Sequence, residues 1–85
     1  MNQYAVFEEF NGVTSLPVDT HRPSAVMTAE TMMSAIRSFA DKNKLKLISF
    51  DELEGGSMRA FYQRKKLFHR SEELVYYVCS SGQDD

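Results

Sequence analysis

The stretch LKLISFDELEGGSMRAFY, from Leu45 to Tyr62, governs how this chain reads. Apolar and polar side chains alternate on both sides of Gly55-Gly56, a period of two that strands show and helices do not. Paired glycines accept the positive φ angles of a two-residue hairpin turn. Leu45 to Leu53 and Met58 to about Phe68 are therefore expected to be antiparallel neighbours. That turn sets Leu53 opposite Met58, Glu52 opposite Arg59 and Phe50 opposite Phe61. One face would carry Leu45, Leu47, Leu53, Met58, Ala60 and Tyr62. The other would carry Ile48, Phe50, Phe61 and Gln63, rimmed by Lys46, Arg59 and Lys65. A slip of one residue would exchange the two faces.

Downstream, Leu74 to Ser80 reads as a third strand, reached through His69-Arg70-Ser71-Glu72. Upstream, Ala29, Met32, Met33, Ile36, Phe39 and Ala40 form a stripe at helical spacing. A helix from about Ala29 to Asn43 is expected, with Thr28 as N-cap and Lys42 and Lys44 at the end where cations suit the dipole. Gln3 to Phe10 has strand composition, and Asn11-Gly12 suits a tight turn. Val13 to Val18 would then be the return strand, confined to an edge by Pro17. Thr20 to Ser24 reads as a loop.

The expected fold is α+β, in the order β(β)αβββ. It is a small antiparallel sheet of three to five strands with one helix packed on one face. Residues 1–80 are expected to form a single domain, and 81–85 a polar tail that frays.

Composition sets bounds on this fold. With 85 residues the chain suits one domain, and 42% hydrophobic against 26% charged residues is a globular balance. A chain this short hides only about 60% of its unfolded surface, so one core must carry the stability. The single cysteine, Cys79, allows no internal disulfide framework, and a reducing cytoplasm is the expected location. Met1 to Phe10 carries Glu8 and Glu9 and lacks the basic and apolar regions of an export signal. No apolar run approaches the roughly 20 residues of a membrane span, so no membrane role is expected.

Net charge is −2, but its distribution is uneven. Met58 to Arg70 holds five of the ten basic residues and none of the twelve acids. Arg59, Arg64, Lys65, Lys66 and Arg70 are interleaved there with Phe61, Tyr62, Phe68 and His69. Cations attract phosphates and flat rings stack on bases, so one reading is nucleic-acid binding. The bland reading pairs the cations with Glu52, Glu72 or Glu73 across the hairpins, or stacks them on Tyr76 or Tyr77. Nucleic-acid domains also tend to be basic overall, unlike this one. A protein partner needs only an exposed face and the charge asymmetry, which would steer an acidic surface.

Enzyme chemistry finds little support. His21 and His69 are the only histidines, and a Cys79–His69 pair rests on two isolated residues. Asp19-Thr20-His21 reads as turn chemistry. Asp51, Glu52 and Glu54 lack the spacing of a calcium loop, and no zinc spacing exists. Acids beside Gly55-Gly56 would repel a phosphate. No catalytic residue, cofactor or metal is expected.

The expectation is a small non-enzymatic interaction module, a regulator or inhibitor of a larger protein, of the accessory kind that phages and plasmids encode. Its partner-binding residues would be Phe50, Arg59, Phe61, Arg64, Lys65, Lys66, Phe68, His69 and Arg70. Nucleic acid is the alternative partner for the same stretch, and an edge strand could join two copies into a homodimer.

Overall fold

Alternation along the strands and one helical stripe generate a two-layer structure. The computed structural model describes residues 1–12, 14–15, 23–65 and 71–81. Its elements are β1 (Asn2–Phe10), β2 (Ala25–Ala29), α1 (Met32–Asn43), β3 (Lys46–Glu52), β4 (Met58–Lys65) and β5 (Ser71–Ser80). All five strands join one antiparallel sheet in the order β2-β1-β5-β4-β3, with α1 against one face. The expected α+β class and element order are both present.

The helix starts later than its stripe suggests. Ala25-Val26-Met27-Thr28-Ala29 alternates buried Met27 and Ala29 with exposed Val26 and Thr28, and pairs with β1 from Asn2↔Ala29 to Val6↔Ala25. Ala29 thus enters the core from a strand, and Thr28, the expected N-cap, lies in β2. Thr31 is the N-cap instead. Its backbone is extended, and its hydroxyl oxygen accepts the Ser34 N–H at 3.1 Å. Lys44, at φ 56°, turns the chain left-handed and ends the helix as its N–H reaches back to Ala40 and Asp41.

Along Asn2 to Val6 the antiparallel neighbour of β1 is β2, and most of the expected return strand, Val13 to Val18, lies outside the described residues. Of that stretch Thr14 and Ser15 are described, and Ser15 makes one isolated bridge to Phe10. The Asn11-Gly12 turn does form. Asn11 Oδ1 accepts the Thr14 N–H at 2.8 Å, and Gly12 sits at φ 96°. A Cβ at Gly12 would run into the Glu72 side chain. Gly12→Ala meets both a disfavoured φ and a side chain held by Arg64, and is expected to cost more than about 1 kcal/mol. Urea unfolding measures it, with a shift in midpoint at unchanged slope.

The hairpin register differs by one residue from the two-glycine reading. Gly55 and Gly56 have φ 82° and 81°, but they lie within a 3₁₀ turn, Glu54–Gly56, closed by the Leu53 N–H on the Ser57 carbonyl at 2.8 Å. The longer loop sets Glu52 opposite Met58, Asp51 opposite Arg59, Phe50 opposite Ala60 and Ser49 opposite Phe61. Beyond a β-bulge at Ile48, Leu47 faces Tyr62 and Lys46 faces Gln63. Opposed residues share a face, so Phe50 lies on the helix side and Phe61 on the other. They are not a pair of anchors on one surface.

The core lies between α1 and one sheet face. Tyr4, Val6, Met27, Ala29, Met58, Ala60, Tyr62, Leu74, Tyr76 and Val78 alternate along the strands and meet Ala35, Ile36, Phe39 and Ala40. Ile36, Val6 and Val78 are fully buried, each contributing roughly 1.5–3 kcal/mol of transfer free energy. The Tyr62 hydroxyl donates to the Ile36 carbonyl at 2.9 Å, so its one polar atom is satisfied inside the core.

Candidate functional site

The second sheet face carries the side chains that alternate outward from the core. Near β1 it is filled: Ala5 and Phe7 are buried, and the Phe7 ring lies 6.1 Å from that of Tyr77. Because β1 lies between β2 and β5, it extends the sheet and does not fold across it. Toward β3 the same face is open among the described residues. Phe61 and Val75, directly opposed on β4 and β5, are only partly buried there.

A shallow groove of about 210 Å³ runs over this region, bordered by Ile48, Ser49, Phe61, Gln63, Glu73 and Val75. The bulge builds its outer wall. The inserted residue places Ile48 beside Ser49 on the groove side, where strict alternation would have turned one of them away. Ile48 keeps 53% of its surface exposed, a high value for a branched aliphatic residue. The result is an apolar floor, an exposed isoleucine wall and amide and carboxylate ends.

The cations around this face are less available than the sequence implies. Arg59 grips Glu9 through two hydrogen bonds, Nε to Oε1 at 2.7 Å and Nη2 to Oε2 at 3.4 Å. The Glu9 hydrogen bond, and then its charge, raise the guanidinium pKa further. This ion pair replaces the expected pairing with Glu52: the register sets Arg59 opposite Asp51, and Glu9 of β1 reaches Arg59 across β5. Arg64 pairs with Glu72, one of the carboxylates expected for it. Both pairs are at least partly exposed, so they fix local geometry more than they stabilise the fold.

The expected site residues therefore do not converge on one surface. Arg59, Phe61 and Lys65 share the second face, while Arg64 alternates to the helix side of β4 and Phe50 lies there on β3. Lys65 is exposed. Lys66, Phe68, His69 and Arg70 lie outside the described residues, as does His21. Cys79 is half-buried on the second face opposite Ala5, and burial pushes its thiol pKa up, the behaviour of an unreactive sulfur. Alternation already sets Ile48 on the face of Phe61 and Gln63, and the alternation of Val75, Tyr77 and Cys79 could reveal the floor. Nothing local signals the bulge or Glu9 as an ion-pair partner.

Among the described residues no group of three or more His, Cys, Asp or Glu side chains could hold a metal ion. Among them, too, no helix is long and apolar enough to cross a membrane. Comparison with protein-family models, curated proteins and solved structures found no match to the chain.

Proposed function

We propose that this protein is a small non-enzymatic interaction module that binds a larger protein through the second face of β3, β4 and β5. The observation that carries this reading is the groove over Phe61 and Val75, walled by the exposed Ile48. A floor of half-buried aromatic and aliphatic side chains suits one apolar anchor of a partner, and a polar rim gives it direction. Lys46 and Lys65, both exposed, would favour an acidic rim on that partner. A regulator or inhibitor acts in this way, by occupying a surface.

Nucleic acid remains the alternative, and the geometry favours it less. Arg59 and Arg64 already hold carboxylates, and phosphate would have to displace them. Phe61 and Tyr62 point to opposite faces, so they cannot form one stacking surface.

The test is affinity capture with the wild-type chain, Phe61→Ala, Lys65→Glu and Phe50→Ala, each checked for an intact fold. Phe61→Ala is expected to lower recovery of a specific partner about tenfold or more, as truncation of a central anchor does. Lys65→Glu should lower it less and mainly slow association, and Phe50→Ala should leave it unchanged. Equal recovery with all four chains would refute the surface.

A further inference from the structure

The edge of β3 is a separate feature from the groove, and its capacity to pair does not depend on the groove having a partner. Among the described residues β3 ends the sheet, and six of its seven residues are exposed, with Leu47 half-buried. The bond from the Leu53 N–H to the Ser57 carbonyl makes that pair a hydrogen-bonded one. Ladder alternation then turns the N–H and C=O groups of Glu52 and Phe50 away from β4, toward the free edge. No proline interrupts the strand. Such an edge is a ready template for another strand.

The side chains specify which strand. Lys44 and Lys46 stand at one end of β3, and Asp51, Glu52 and Glu54 at the other. An antiparallel second copy sets each basic end against an acidic one, whereas a parallel copy would oppose like charges. The bulge also supplies a matching register. It puts Leu47 and Phe50 on the helix side and Lys46 and Asp51 on the second face. In an unbulged strand residues three or five apart would face opposite ways. Around a two-fold axis between Ile48 and Ser49, Leu47 meets Phe50 of the other copy, and Lys46 meets Asp51. Each contact occurs twice, and it covers the exposed Phe50 ring.

We propose that two copies of this chain associate through antiparallel β3–β3 pairing, in the register that sets Lys46 against Asp51 and Leu47 against Phe50. A single strand-to-strand contact buries little surface, so the dimer dissociates in the micromolar range. The two-fold symmetry leaves both grooves on one side of a continuous ten-stranded sheet.

Sedimentation equilibrium of the full chain tests this. The wild-type chain is expected to approach twice its 9.8 kDa mass as concentration rises through that range. Lys46→Glu and Asp51→Lys should each weaken association at least about tenfold, because either substitution turns two attractive contacts repulsive. An equimolar mixture of the two variants should associate again, since each then faces its opposite charge. Amide exchange needs no variant: protection at Phe50 and Glu52 should rise with wild-type concentration. A chain that stays monomeric with concentration-independent exchange overturns the proposal. So does a dimer that both variants leave intact.

Discussion

Phe39→Ala is expected to destabilise the domain by about 3–5 kcal/mol, the range for removing a buried aromatic ring. Phe39 is the side chain by which α1 grips the sheet. Its ring lies 4.8 Å from Tyr76 and 5.6 Å from Tyr62, and those two rings are 5.7 Å apart and nearly perpendicular. Edge-to-face packing of this kind adds about 0.5–1.5 kcal/mol per pair beyond area burial. A domain of 85 residues has a total stability of about 4–13 kcal/mol, so the loss is a large fraction of it. Thermal unfolding followed by circular dichroism should show Tm falling by about 15–30 °C. Phe50→Ala, on the exposed strand edge, should cost less than about 1 kcal/mol. Similar costs for the two would contradict the placement of the core.

The second large effect is alkaline unfolding. Burial, with a smaller contribution from the neighbouring Tyr76 phenol, pushes the Tyr62 pKa well above the usual tyrosine value of 10.0. Tyr76 is pushed up to about 12, first by burial, then by the Glu8 charge and the hydrogen bond to Glu8 Oε2 at 3.4 Å. Both phenols are thus neutral in the folded chain at a pH where the unfolded chain ionises. Their stabilisation is complete below pH 10 and is lost as pH climbs from there toward 12. Each tyrosine can remove up to about 1.4 kcal/mol per pH unit over that window. Denaturant midpoints should therefore hold steady to about pH 9.5 and then fall steeply, with tyrosinate absorbance rising as the fold is lost. Tyr62→Phe should cost about 1 kcal/mol at neutral pH, from the lost bond to Ile36, and should flatten the alkaline slope. Ionisation of Tyr62 and Tyr76 themselves near pH 10 without unfolding, read as the difference from their Phe variants, would contradict the burial of both rings.

How much of the fold is legible in the sequence depends on whether a signal is local. Alternation from Met58 to Lys65 and from Leu74 to Ser80 reveals two of the central strands, because their inward residues have to be apolar. The stripe from Met32 to Ala40 reveals the helix. The stripe alone places the helix start too early, because Ala29 is apolar and falls on it, yet pairing with Asn2 holds Ala29 in a strand. That pairing is long-range and leaves no mark in the helix pattern. The site suffers most from the same blindness. Two glycines suit a two-residue turn as well as a longer one, and Leu53–Ser57 bonding chooses the longer. One residue of slip then parts Phe50 from Phe61. Alternation already divides the basic stretch between two faces, but Glu9, fifty positions from Arg59, neutralises one of its cations across the sheet. Compositional charge cannot show a partner that only the fold brings near.

The proposed function turns on the face bearing Phe61, and not the face bearing Phe50, meeting the partner. A photoreactive phenylalanine analogue placed at each position in turn, with the intact chain irradiated in its native extract, separates the two. Position 61 should give an adduct with a heterologous protein, suppressed by excess wild-type chain and weakened by Ile48→Lys in the same chain. Position 50 should give no such adduct, only chain-to-chain products. A heterologous adduct of equal yield from position 50, or adducts to nucleic acid alone from position 61, would contradict the proposed surface.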